Sequence, residues 1–138
     1  MQPLYSATCS ATQGREGHVK SNDGVVNLPL AMPKELGGPG GAKSNPEQLF
    51  AAGYAACFGS ALMMVARQKR LDLGDCRVEA TVHIGKEGAS FGLAVELRGH
   101  FSKLQGKEAD ELMKAAHEVC PYSKATRNNV EVKLSTAN

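Results

Sequence analysis

The residues best suited to chemistry in this sequence are its four cysteines, Cys9, Cys57, Cys76 and Cys120. They form no CxxC pair and are too few for the dense disulfide framework of a small secreted domain, so we expect free thiols in a reducing compartment. A cysteine reacts as its thiolate, which needs a positive neighbour and a route from solvent. The question is which of the four positions meets those needs.

Cys57 and Cys120 differ in their local sequence. Cys57 lies within AAGYAACFGSA with no cation inside one helical turn, and a free cysteine in such a place is commonly a small buried side chain. Cys120 lies between HEV and Pro121, where one predicted helix stops and backbone N–H groups of the next turn would favour a thiolate. Cys9 and Cys76 have no supporting motif. The residues alone leave a purely structural role open for all four.

A metal site and a papain-type hydrolase are both disfavoured. His117 and Cys120 are three residues apart and share a helix face, but a zinc ion needs four ligands. The remaining histidines, His18, His83 and His100, are scattered without ligand spacing, so we expect no metal. A signature such as CGSCW is absent.

Composition restricts the partners. The chain has 16 Lys+Arg against 14 Asp+Glu, no Trp, three Tyr and four Phe, which argues against nucleic acid as a ligand. The first ten residues lack the basic and apolar regions of a signal peptide, so we expect a cytoplasmic protein. With 138 residues, 42% of them hydrophobic, a single domain over residues 1–138 is expected.

The N-terminal third predicts a small antiparallel meander. Residues 4–11 alternate as in a half-buried strand, and further strands are indicated at 18–21 and 25–30, with turns between them. The stretch 33–44 is rich in glycine and contains two prolines. This composition predicts an irregular loop.

A long buried central helix is predicted next. NPEQ at 45–48 supplies an Asn cap and a proline for the first helical position. Residues 49–66 are almost wholly apolar or small, and RQKR at 67–70 suits a helix C-terminus. The apolar run reaches the lower limit for a membrane span. Since it contains Gly53, Gly59 and Ser60, we interpret it as a core helix.

The remainder predicts an α+β fold. Alternating patterns at 78–84 and 91–97 indicate two paired antiparallel strands across a GKEGAS turn. Residues 107–119 form an amphipathic helix that Cys120-Pro121 interrupts, and a final strand is predicted at 130–134.

Two segments carry a resemblance to a known family. NPEQLFAAGYAACFGSAL at 45–62 and HEVCPYSKATRNNV at 117–130 closely resemble the signature segments of the organic hydroperoxide resistance (Ohr) proteins of the OsmC/Ohr family. The resemblance extends to GREGHVKSNDG at 14–24 and to the chain length. It implies an intertwined homodimer and a two-cysteine peroxidase without a bound cofactor. It further implies that alkyl and fatty-acid hydroperoxides are reduced to alcohols, with recycling by a lipoylated, dihydrolipoyl-bearing protein.

The family's functional residues fall on matching positions. The resemblance makes Cys57 the thiol that attacks the peroxide and Cys120 the thiol that resolves the product. It makes Arg15 the activating cation and Glu47 the acid that orients that cation. An arginine suits the role because it stays charged and can hold a carboxylate with one edge while facing sulfur with another.

The spacing on the helix adds a geometric expectation. Glu47 and Cys57 are ten residues apart, about 15 Å along a straight helix, so they cannot meet one arginine there. Either the helix bends near Gly53, or the Arg15 and Glu47 that serve Cys57 belong to the other subunit. We favour the second, because small side chains at 51–56 would let two such helices cross closely about a two-fold axis.

Other functions stay open at this point. A stress peroxidase of the OsmC branch would share the cysteine pair but differ in substrate preference. A protein that binds apolar ligands without catalysis, or a redox sensor, would use the same residues differently. A peroxiredoxin is disfavoured because the PxxxTxxC motif is absent before Cys57.

Overall fold

The computed structural model describes residues 1–137 and confirms the α+β class. It contains two three-stranded sheets and three α-helices. The chain forms two compact units, Met1–Leu49 and the part from Phe50 onward. The expectation of a single domain stays a prediction.

The first unit contains the predicted antiparallel meander, with β1 (Cys9–Thr12), β2 (His18–Ser21) and β3 (Asn27–Pro29) in that order. The outer strands are shorter than predicted. Asp23 Oδ1 accepts a hydrogen bond from the Val25 N–H, and Ser21 Oγ accepts one from the Val26 N–H. These side-chain bonds lengthen the turn, so the third strand begins at Asn27 and not at residue 25.

The glycine-rich stretch at 33–44 is irregular, as predicted, apart from a short 3-10 turn at Lys34–Leu36. It leads into α1 (Pro46–Lys69), whose predicted cap is present. Asn45 Oδ1 accepts a hydrogen bond from the Gln48 N–H at 2.9 Å. This bond satisfies one of the amide groups that a helix start leaves without a partner.

The predicted central helix α1 is present and is buried within this chain along one of its faces. Tyr54, Phe58 and Leu62 are fully buried, whereas Met63 and Met64 are 56% and 44% exposed. By length and composition α1 could span a bilayer, a property that core helices share. Its inner face packs into the apolar cluster of the second unit.

The second sheet is built on one long hairpin. β4 (Cys76–Glu87) pairs with β5 (Ser90–Phe101) from Cys76 opposite Phe101 to Glu87 opposite Ser90. β6 (Glu131–Thr136) then pairs with β5 in parallel, so the expectation of further antiparallel strands after the central helix is correct for β4 and β5 and wrong for β6. Parallel pairing follows because helices cross over between β5 and β6.

The crossover consists of α2 (Gly106–Val119) and α3 (Pro121–Thr126). The sequence predicted only a turn where α3 lies. Helix α2 lays Ala109, Leu112, Met113 and Ala116 against the core, together with Val95 and Leu97 of β5. This packing fixes the position of the α2–α3 junction within the second unit.

Candidate active site

Arg15 and Glu47 form a two-pronged ion pair within the first unit. Arg15 lies in a 3-10 turn, Gly14–Glu16, between β1 and β2, and Glu47 lies in the first turn of α1. Arg15 Nη1 donates to Glu47 Oε2 at 2.8 Å, and Nη2 donates to Oε1 at 2.6 Å. The contact fixes the plane of the guanidinium and leaves its other N–H groups pointing away from the carboxylate.

The turn that carries Arg15 depends on Gly17. A Cβ at this position would lie 1.7 Å from the carbonyl oxygen of Thr12. Because that oxygen belongs to the backbone, it cannot move aside without opening the β1–β2 connection. The glycine therefore allows the close turn from which Arg15 reaches Glu47.

The ion pair shifts the pKa values of both Arg15 and Glu47. The hydrogen bonds from Arg15 hold the pKa of Glu47 below its usual value of 4.5, although burial opposes the change. The hydrogen bond to Glu47 in turn raises the pKa of Arg15. Both groups are therefore fully charged at neutral pH. Their side chains are 14% and 32% exposed, so solvent screens the pair only in part.

Glu47→Gln is expected to lower the free energy of unfolding by about 1–2 kcal/mol at pH 7, because the change removes a charged, partly buried hydrogen-bond acceptor. The folded-state pKa of Glu47 is lowered, so its contribution is complete well above pH 4.5 and is lost as the pH falls through the folded-state value. Urea unfolding between pH 3 and pH 7 should show the wild type and the variant converging in acid. The control is Glu16→Gln in the same turn, an exposed acid; a difference that persists unchanged at pH 3 would contradict the assignment.

Cys57 and Cys120 meet within the second unit. Their sulfur atoms are 3.6 Å apart, with the Cys120 thiol donating toward Cys57. Both are free thiols, Cys120 fully buried and Cys57 partly exposed. A disulfide requires a separation of about 2.0 Å, so an approach of roughly 1.5 Å would join them.

The position of Cys120 follows from the proline after it. A residue before proline avoids the helical region, and Cys120 has an extended backbone with φ −67° and ψ 125°. Its N–H still bonds the Ala116 carbonyl at 2.9 Å, so it closes α2, and Pro121 opens α3. The bend between the two helices turns the Cys120 sulfur toward α1.

Cys57 is a weak acid in these surroundings. Burial raises its pKa above the usual 9.0, and a hydrogen bond from the backbone of Tyr122 opposes that rise. Among residues 50–137, no lysine or arginine contributes to the shift. Within the described part of the second unit, therefore, no cation stabilises a thiolate at Cys57.

Three aromatic side chains from α1 and α3 cluster beside the part of α1 that carries Cys57. Phe50, Tyr54 and Tyr122 form a triangle with ring centroids 5.7–6.4 Å apart. A Cβ at Gly53 would lie 3.1 Å from the Tyr122 hydroxyl, so this glycine makes room for the ring. Tyr54 and the neighbouring Phe58 belong to the buried core.

The other candidate positions lie apart from this pair. Cys9 is exposed, and burial raises the pKa of Cys76. His117 Nδ1 is buried without a hydrogen-bond partner in the described part of the chain, and burial lowers the pKa of His117. Across residues 1–137 no three His, Cys, Asp or Glu side chains are grouped closely enough to hold a metal.

The four predicted residues thus fall into two pairs, each held within one unit. Glu47 and Cys57 both belong to α1, which is helical without interruption from Pro46 to Lys69 and therefore through Gly53. Their ten-residue separation corresponds to about 15 Å along the helix axis.

Comparison with known proteins agrees with the fold and the two motifs. Residues 38–135 match the family described as OsmC-like protein. An organic hydroperoxide resistance protein of Xanthomonas axonopodis pv. citri is 48% identical over 97% of this chain and 95% of that protein. The organic hydroperoxide resistance protein OhrA of Bacillus subtilis is 49% identical over 99% of this chain and 98% of its own length.

Solved structures also match the fold of this chain. The crystal structure of an organic hydroperoxide resistance protein OsmC from Legionella pneumophila superposes with a TM-score of 0.92 at 48% identity. The match covers 99% of this chain and 100% of that one. The chain belongs to the OsmC/Ohr family.

Proposed function

We propose that the protein is a two-cysteine thiol peroxidase that reduces organic hydroperoxides to alcohols. The observation that carries the proposal is the 3.6 Å separation of the Cys57 and Cys120 sulfurs, which are 63 positions apart in sequence. Two free thiols held so close suit a nucleophile and its resolving partner. Relatives named organic hydroperoxide resistance proteins support the choice of substrate.

The reaction has two steps within the protein. The Cys57 thiolate attacks the terminal oxygen of the hydroperoxide and breaks the O–O bond, giving a sulfenic acid and an alkoxide that takes up a proton as the alcohol. The Cys120 thiol then attacks the sulfenic sulfur, forming the Cys57–Cys120 disulfide and releasing water. The partial exposure of Cys57 beside the buried Cys120 fits this order.

Activation is assigned to Arg15 and orientation to Glu47. The raised pKa of Cys57 means that a cation must stabilise both the thiolate and the charge that develops on the departing oxygen. The Arg15 guanidinium is permanently charged and already fixed in plane by Glu47. Glu47 and Cys57 are separated along α1. We therefore propose that Arg15 and Glu47 of one subunit act on Cys57 of the other subunit in a homodimer.

The partly exposed rings of Phe50 and Tyr122 favour an apolar substrate. Tyr122 is 40% exposed, and its hydroxyl lies close to Gly53, one helical turn before Cys57. An alkyl or fatty-acid chain would gain contact with such a surface, whereas hydrogen peroxide would not.

Turnover requires an external reductant. A dithiol of the lipoyl type, carried on a lipoylated protein, would return both cysteines to thiols and leave as its own disulfide. This exchange suits the reducing cytoplasm, where we place the protein. No resident cofactor is needed in this scheme.

Treating the reduced protein with one equivalent of cumene hydroperoxide is expected to yield a Cys57–Cys120 disulfide, seen by mass spectrometry as a loss of two hydrogens on the joined peptides. A stable oxidised adduct on Cys9 or Cys76 would overturn the assignment. Hydrogen peroxide serves as the comparison: a much slower reaction supports the organic hydroperoxide branch, and an equal or faster one favours an OsmC-type stress peroxidase. Repeated turnover with dihydrolipoamide separates an enzyme from a redox sensor or a ligand-binding protein.

A further inference from the structure

Three buried hydroxyl groups connect α1 to α3 beside the cysteine pair. Tyr54 Oη lies 3.0 Å from Ser123 Oγ and 3.1 Å from Thr126 Oγ1. Tyr54 and Ser123 are fully buried, and Thr126 is 5% exposed. Buried hydroxyls are retained at such sites only when each finds a partner.

The direction of the hydrogen bonds follows from the backbone acceptors. Thr126 Oγ1 donates to the carbonyls of Tyr122 and Ser123, each at 3.1 Å. Having used its hydrogen there, Thr126 must accept from Tyr54, and Tyr54 must then accept from Ser123. The chain of hydroxyls therefore runs from Ser123 through Tyr54 and Thr126 and ends on the carbonyl of Tyr122.

The backbone of Tyr122 lowers the pKa of the Cys57 thiol, and Cys120, two residues before Tyr122, places its sulfur 3.6 Å from the Cys57 sulfur. The Tyr122 carbonyl is held by the hydroxyl chain and the Tyr122 ring rests over Gly53. We propose that Tyr54 is a positioning residue for Cys57: its buried hydroxyl fastens α3 to α1 so that the Tyr122 backbone stays aimed at the Cys57 sulfur.

Two further observations support this assignment. The Tyr122 backbone lowers the pKa of Cys57 while burial raises it, and Tyr122 is held in place at its carbonyl by Thr126 and at its ring by the space above Gly53. Tyr54 and Cys57 are also neighbours on one face of α1, three residues apart. The hydroxyl chain and the nucleophile are therefore carried by the same turn of helix.

The inference rests on the proposed function only for its biological meaning, because the thiolate can be measured without any peroxide. The experiment is the rate of Cys57 alkylation by iodoacetamide as a function of pH, with Cys57 identified by peptide mass spectrometry. Tyr54→Phe is the test variant. Tyr5→Phe makes the same chemical change at a side chain that is 83% exposed and is its matched control.

Tyr54→Phe is expected to slow Cys57 alkylation at pH 7 by about three- to tenfold, the size expected from one weakened hydrogen bond, and to move the midpoint of the pH profile upward. Tyr5→Phe should match the wild type. Thr126→Val should resemble Tyr54→Phe, and Thr126→Ser, which keeps the hydroxyl, should restore the rate to within about twofold.

Cys76 provides an internal control, since it is partly buried and lies at the start of β4, outside α1 and α3. Unchanged Cys57 profiles in both Tyr54→Phe and Thr126→Val would overturn the inference, as would equal changes at Cys57 and Cys76, which would indicate general loosening. Loss of the proposed peroxidase activity in the wild type would leave this readout intact. The two proposals can therefore fail separately.

Discussion

Cys57→Ser is expected to reduce hydroperoxide turnover by at least about a thousandfold, because a serine hydroxyl is not ionised at neutral pH and is a poor nucleophile toward oxygen. Cys120→Ser should behave differently. The first step would still occur, but the sulfenic acid would have no partner at 3.6 Å, so it would persist until the external dithiol attacks it directly, and turnover should be slower than in the wild type. Consumption of cumene hydroperoxide with excess dihydrolipoamide measures both outcomes.

The two variants are distinguished by trapping. Dimedone, which reacts with sulfenic acids, should label Cys57 in Cys120→Ser and should label nothing in Cys57→Ser. The Cys9→Ser/Cys76→Ser double variant removes the other two thiols and should keep wild-type turnover. If Cys57→Ser retained more than about a tenth of the activity, Cys57 would not be the nucleophile, whatever the behaviour of Cys120.

The main elements of the fold were predictable because their signals are local. The cap at Asn45 and the alternation in β4 and β5 each depend on a few neighbouring residues, and both predictions are confirmed. The parallel pairing of β6 with β5 was not predictable in this way. The direction of β6 depends on the path that the chain follows through α2 and α3. That path is set by packing, and the alternation of residues in β6 is the same for either direction.

The candidate site shows the same contrast between what local sequence indicates and what only packing determines. Sequence chemistry alone left Cys57 and Cys120 as ordinary buried cysteines, and only the family motifs singled them out. Tyr54, Ser123 and Thr126 were missed because each is an unremarkable residue until α1 and α3 bring their hydroxyls together. Pro121, at a position that suits the first residue of a helix, and the spacing of Tyr122 and Ser123 four and three residues before Thr126 are the signals that could have suggested α3.

A heterodimer of Arg15→Ala and Cys57→Ser chains is expected to recover about half of the wild-type activity per dimer, although each homodimer should be nearly inactive. The reason is the length of α1: Glu47, which holds Arg15, and Cys57 are ten residues apart on one continuous helix, about 15 Å along its axis. If two-fold symmetry brings each Arg15 to the partner subunit's Cys57, the mixed dimer contains one complete site.

The alternative arrangement predicts a different result for the same protein. If Arg15 served Cys57 of its own chain, one site of the heterodimer would lack the cation and the other would lack the nucleophile, so activity would not return. Purifying the heterodimer through two different affinity tags ensures that both chains are present. A wild-type chain paired with Cys57→Ser, which has one intact site in either arrangement, sets the expected half activity. Recovery to that level places Arg15 and Cys57 in a shared site, and a homodimer-like value places them in the same chain.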